Sequence, residues 1–270
     1  MTKLAYQTNT WGGVVGHPVG VTSVKDLYYL TPGSNEQALA DIAAAGYTGF
    51  ELFDGNLMQY HGHAADFRAL MERTQLQFVA VYSGANFIYQ EILEDELSKI
   101  EQAAHLAAQV GAEHLVVGGG AVRSRGVQEE DYRRLGAGLE RVVAIGRRAG
   151  LVPHYHPHLG TIVESPPQIA KVFEHTSINF CPDTAHLQAA GGDPAALIRT
   201  YADRIKYVHL KDYRDGQFLP LGEGTQDLDG ILAALRAINY GGWITVELDA
   251  HPLPAEGARI SKAFLDAHVV

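Results

Sequence analysis

The chain holds one cysteine, Cys181, in 270 residues, so no internal disulfide can staple it and the fold must rest on its own core. Positive charge is also scarce. With 21 Lys and Arg against 31 Asp and Glu, the net charge is −10, which argues against a basic nucleic-acid coat and points to small molecules as partners. No apolar run approaches the roughly 18 residues that cross a bilayer, and the opening MTKLAYQTNTW is no apolar leader. A cytoplasmic address without a membrane partner is expected. There is no GxGxxG after the first candidate strand, and no Lys-Ser/Thr follows the triple glycine 118–120. The usual nucleotide fingerprints are therefore missing. No Ser/Pro/Gly linker or charge block splits the chain, and with 46% hydrophobic residues it can build one large core, so a single domain over 1–270 is expected.

What is present is alternation. β-rich runs occur at 3–8, 48–53, 78–82, 114–118, 152–157, 178–182, 206–210 and 243–248, and Ala/Leu-rich helical patterns separate them. Helices are expected from Asn35, Glu94 and Glu129, each ending at a glycine able to take the left-handed cap. Eight such units average about 34 residues, the size of a (β/α)8 barrel unit, whereas a doubly wound sheet typically has fewer parallel strands. The fold class is therefore α/β, a (β/α)8 TIM barrel. The segment 10–34 is long for a loop after a strand and is expected to cover the barrel mouth.

Polar residues collect at the C-terminal ends of the candidate strands. His154, His156 and His158 end the fifth, Asp183 and His186 follow the sixth, His209 and Lys211 end the seventh, and Glu247 and Asp249 end the eighth. A barrel brings these ends to one rim, and strand alternation puts His154, His156 and His158 on one face. Asp183, His209 and Glu247, with a nitrogen from His156, would then surround a divalent ion with two carboxylates and two imidazoles. That donor set suits Zn, Mn, Co or Fe rather than a thiolate site, and Cys181 is expected to pack. A register slip in strand five would offer His158 or His154 instead. Glu51 and Asp54 either orient substrate hydroxyls or serve the fold, and Glu223 in LGEG (221–224) is a candidate substrate contact. Asp193 with Pro194 reads as a helix start. Lys211, Arg214 and Arg125 are scattered cations that specify no phosphate.

The strings GYTGFELF (46–53), YHPHLGTIVE (155–164), CPDTAHLQAAGGDP (181–194), IKYVHLKD (205–212), LGEGTQDLD (221–229) and WITVELD (243–249) resemble those of the xylose-isomerase-like TIM-barrel superfamily. That group holds sugar isomerases, epimerases and inosose dehydratases, and the dehydratase branch is the nearest resemblance. The resemblance implies that Asp183, His209 and Glu247 are metal ligands and that His186 approaches substrate. Ketose epimerases of this group present two glutamates where this chain has His156 and Ile162, so a two-glutamate mechanism lacks a partner.

The expected function is a divalent-metal-dependent dehydratase, a lyase acting on a keto-cyclitol or keto-sugar through an enediolate. His158, His186 and Lys211 would supply proton transfer and polar orientation. The alternatives are a metal-dependent sugar isomerase or ketose epimerase, and a sugar-binding barrel without turnover. An apurinic endonuclease disagrees with the acidic charge. A homo-oligomer fits a chain of this size, with no heptad to fix the subunit number.

Overall fold

In the computed structural model, residues 3–11 and 28–268 are described; residues 12–27, the centre of the expected mouth loop, lie outside them. The chain runs β1 (Lys3–Gln7), α1 (Asn35–Ala44), β2 (Gly49–Phe53), α2 (Asp54–Met58), α3 (Ala64–Thr74), β3 (Gln77–Ala85), α4 (Leu93–Gln109), β4 (His114–Gly119) and α5 (Glu129–Ala149). It continues through β5 (Val152–Tyr155), α6 (Pro166–Phe173), β6 (Asn179–Phe180), α7 (Thr184–Ala189), α8 (Pro194–Thr200) and β7 (Tyr207–Leu210). The last elements are β8 (Asp212–Arg214), β9 (Gln217–Leu219), α9 (Leu228–Ala237), β10 (Trp243–Val246) and α10 (Pro254–His268).

Eight strands pair in parallel in the order β6-β5-β4-β3-β2-β1-β10-β7. Two parallel bridges, Phe180 to Ile205 and Asp183 to His209, join β6 to β7 and bring the ends of the sheet together. The result is the eight-stranded TIM barrel that the strand count anticipated. β8 and β9 form a separate antiparallel hairpin that the strand count had passed over. Its signal is legible all the same: Asp215-Gly216 is a two-residue hairpin turn with both residues at positive φ, +50° and +83°.

The helix ends follow the local chemistry. The Ser34 side chain accepts from Gln37 N at 3.2 Å to start α1, and Gln128 with Asp131 forms a reciprocal cap on α5. Asp193 caps α8 through Ala196 N with Pro194 in its first turn, as its sequence implied. Glycines 46, 111 and 150, beyond α1, α4 and α5, take φ between +77° and +99°.

Strand alternation divides the apolar residues into two bodies. Side chains such as Phe50, Leu52, Leu115, Val117, Tyr155, Val208 and Ile244 face the helices and form the main core. The inward set includes Ala5, Phe53, Val79, Val116, Cys181, Tyr207 and Trp243, which fill the barrel. Cys181 is fully buried and free, so it packs. Above this plug, the inward positions turn polar.

Candidate active site

At the C-terminal ends of β5, β6, β7 and β10, one ligand-type atom from each of His156, Asp183, His209 and Glu247 lies within 4.8 Å of the other three. All four residues are buried. Their spacing follows from period two: Asp183 stands two residues beyond Cys181, His209 two beyond Tyr207, and Glu247 four beyond Trp243, so the faces that pack the barrel below present ligand-type side chains above. Of the three histidines on β5 and its extension, His156 enters the cluster. His154 lies a layer lower, its Nε2 3.0 Å from His114 Nδ1, and the half-buried His158 turns its ring to His186 at 3.8 Å between centroids.

The cluster has the chemistry of a cation site. His156 Nε2 is buried without a hydrogen-bond partner, a costly state for a polar atom unless something else satisfies it. His209 Nδ1 is 2.7 Å from Glu247 Oε2, and His156 Nε2 is 3.6 Å from Asp183 Oδ2. Four ligand-type atoms converging on a common point fit a divalent ion with mixed nitrogen and oxygen ligation. The other Asp183 oxygen accepts from Ala185 N and His186 N at 2.9 and 3.0 Å, capping α7 and fixing the direction of the free one.

Lys211 is completely buried beside this cluster. Its Nζ is 3.3 Å from Asp183, 3.2 Å from Glu247 and 2.9 Å from Asp249. Burial alone would lower its pKa, but Asp183, Asp249 and Glu247 outweigh that and raise it, so the ammonium persists. Burial likewise pushes Asp183 and Glu247 upward, but Lys211, with His186 for Asp183 and His209 for Glu247, holds both carboxylates below their usual range. His186 and His158 move the other way, because burial depresses both. His209 is pushed up to about 10: burial opposes its charge, and Glu51 and Glu247 overcome burial.

Of the other expected site residues, Glu51 is fully buried with Oε2 3.1 Å from His209 Nε2. It stands behind a cluster residue instead of facing the open mouth. Asp54 accepts from Tyr29 N, Gly55 N and the Ser83 hydroxyl, a set that serves the fold. Glu223 is exposed on the rim of an outer cavity of about 480 Å³ that also touches Phe218, Asp249 and His251. The LGEG loop wraps the Asp212 carboxylate, which accepts from Gly222 N and Gly224 N at 2.9 Å and from Gln226 N at 3.3 Å. A Cβ on Gly224 would come within 2.1 Å of that carboxylate, which explains this glycine. Arg214 donates to the Glu223 carbonyl, away from the ion cluster.

Three neighbours went unread in the sequence. Asn9, buried after β1, donates to Glu247 Oε1 at 3.3 Å. The Tyr82 ring lies 5.5 Å from that of His156 and 6.3 Å from that of His209. Phe218 on β9 covers Lys211 at 4.5 Å and His186 at 4.9 Å. Asn9 and Tyr82 carry no local motif, whereas the Asp215-Gly216 turn could have placed Phe218 on a hairpin over the mouth.

A family model described as Xylose isomerase-like TIM barrel matches residues 39–268. An inosose dehydratase of Geobacillus kaustophilus is 29% identical over 271 residues, covering 86% of this chain and 87% of that protein. Among solved structures, the 3-keto-D-glucoside 4-epimerase from E. coli superposes with TM-score 0.74 at 19% identity, over 99% of this chain and 100% of its own. The probable 3-DHS dehydratase involved in petrobactin synthesis from Bacillus anthracis gives TM-score 0.76 at 15% identity, over 98% and 99%. At those identities the two structures speak to fold alone.

Proposed function

Because the chain belongs to the xylose isomerase-like TIM-barrel family, we propose that it is a divalent-metal-dependent dehydratase, a carbon–oxygen lyase acting on a keto-cyclitol or keto-sugar. The observation that carries this reading is the convergence of four buried ligand-type atoms from four strand ends on one point beside a buried ammonium. The relatives named inosose dehydratase support the substrate class, and the reading places the enzyme in carbohydrate metabolism, with inositol catabolism as its setting and the cytoplasm as its site.

His156, Asp183, His209 and Glu247 hold the ion, drawn from Mn, Co, Zn and Fe by the donor set. A divalent ion there supplies Lewis-acid polarisation of a keto group, which makes the neighbouring carbon–hydrogen bond acidic. The chain does the rest. His158 and His186 stand ring to ring at the mouth, and burial favours their neutral forms. His158 Nδ1 donates to the Leu159 carbonyl, which leaves its Nε2 lone pair to accept the α-proton, whereas His186 Nε2 already accepts from the Lys211 ammonium at 3.4 Å and orients it. The imidazolium so formed is the acid that protonates the departing β-hydroxyl, and water leaves with both electrons of the carbon–oxygen bond. The protein ends in its starting protonation state and the product is an enone. Lys211, held protonated among its carboxylates, offsets the negative charge of Asp183, Glu247 and Asp249, orients them, and takes no proton. Phe218 closes the wall above it, and Glu223 on the outer rim is available to hydroxyls beyond the reacting centre.

The runner-up is a sugar isomerase or ketose epimerase, the class to which the solved E. coli neighbour belongs. Against it stands Ile162, fully buried in the main core, so this position brings no second carboxylate for proton return. The test is to supply metal-loaded protein with inososes and free ketoses in deuterium oxide. Loss of water, seen as an enone absorbance and a mass decrease, is expected. Deuterium incorporation without loss of water identifies the isomerase or epimerase, and binding with neither identifies a barrel without turnover.

A further inference from the structure

His209 has two ring nitrogens, and the fold assigns them different neighbours. Nδ1 faces the convergence point, 2.7 Å from Glu247 Oε2. Nε2 faces the opposite way, 3.1 Å from Glu51 Oε2. A neutral imidazole carries one proton, so the atom opposite the hydrogen-bonded one presents its lone pair. A carboxylate cannot donate, so Nε2 carries hydrogen toward Glu51; any hydrogen Nδ1 shares with Glu247 in the metal-free protein is the one an ion would displace, while the Nε2 hydrogen stays with Glu51.

Besides His209, Glu51 meets the Tyr207 side chain. It is fully buried, its Oε1 has no hydrogen-bond partner, and the ammonium ion pairs of Lys211 run to Asp183, Glu247 and Asp249. Burying a carboxylate costs free energy that a surface position avoids. The backbone is irregular at this point: Phe50 pairs with Phe78 and Glu51 with Ala80, so Val79 is an extra residue opposite the step between them. Such a bulge re-aims the side chains beside it.

We propose that Glu51 is a positioning residue for the metal: it accepts the Nε2 hydrogen of His209, fixes the ring with Nδ1 toward the ion, and sets the affinity of the site without touching metal or substrate. The inference rests on the metal-dependent reading above. Carboxylates placed behind ligating histidines commonly contribute 10- to 100-fold to metal affinity, and a change of about that size is expected here.

The experiment is calorimetric titration of the metal-free full chain with MnCl2, comparing wild type with Glu51→Gln, which keeps the volume and removes the charge. The variant should bind Mn2+ about 10- to 100-fold more weakly; its metal-free melting temperature should fall as well, because the buried pair with His209 is weakened, so the dissociation constant is the deciding readout. A purely structural Glu51 would lower the metal-free melting temperature and leave the dissociation constant unchanged, which overturns the proposal. If wild type itself takes up no Mn2+, Co2+ or Zn2+, the metal-dependent reading falls as well; if wild type binds and the variant binds equally, this inference alone falls. A second measurement needs no Glu51 variant. In 15N-histidine-labelled, Zn2+-loaded wild type, the resonance lost in His209→Gln should report a protonated Nε2 and a ligated Nδ1, and the reverse assignment overturns the proposal.

Discussion

Lys211 is the residue whose removal should be felt most. Its ammonium is fully buried against Asp183, Glu247 and Asp249, and taking one partner from a buried ionic group leaves the others uncompensated, at about 3–5 kcal/mol. Lys211→Met should lose about that much stability in EDTA, and saturating Mn2+ should recover part of it, because a cation returns to the same carboxylates. Urea unfolding with and without MnCl2 checks this; equal stability of variant and wild type in EDTA would count against it. At this scale the sequence was informative about identity and silent about company. His156, Asp183, His209 and Glu247 could be picked out because inward positions recur every second residue. Asn9 was not singled out, and Glu51 was singled out only as a substrate contact or a fold residue; their contacts with Glu247 and His209 join residues 238 and 158 positions apart and leave no local periodicity.

Among the elements, the loop after β9 is organised by one side chain. Asp212 accepts from the backbone N–H groups of Tyr213, Gly222, Gly224 and Gln226, and hydrogen bonds to a charged acceptor are each worth about 1.5–3 kcal/mol without adding fully. Asp212→Ala should therefore destabilise by about 2–4 kcal/mol and raise hydrogen exchange selectively over 222–226, as mass spectrometry would register. Unchanged exchange there would show that the glycines hold the loop unaided. In LGEG the sequence offers Glu223 as a substrate contact; the physical reason for Gly224, room for the Asp212 carboxylate, needed the tertiary contact. The hairpin β8–β9 was missed because its strands have three residues each, too few for alternation to register, although the Asp-Gly turn between them was there to be read.

For the molecule as a whole, acid should act through the barrel interior. Burial pushes His114 down to about 4 from an unfolded value near 6.5, so between those values the unfolded chain binds a proton that the folded chain refuses. This term leaves stability intact above pH 6.5 and removes it as pH falls toward 4, on the order of 3 kcal/mol. Asp54 opposes it, since burial raises that carboxyl to about 6 and the folded state gains relative stability on acidification below that value. Comparing wild type with His114→Gln in urea at a series of pH values isolates the histidine term: the stability difference should be flat above pH 7 and shift by about that amount between pH 6.5 and 4. A difference independent of pH would show that His114 titrates alike in both states. Sequence alone determined the eight-unit βα rhythm, the starts of α1, α4, α5 and α8 with the glycines that follow the first three, and the inward face of the ligand-bearing strand ends, because these depend on backbone geometry and neighbours a few residues away. Closure at the Asp183–His209 bridge, the choice of His156 over His154 and His158, and the burial of Lys211 among carboxylates were decided only when distant strand ends met. Charges and lone pairs interact through space, and the distances that set those interactions exist only in the folded barrel.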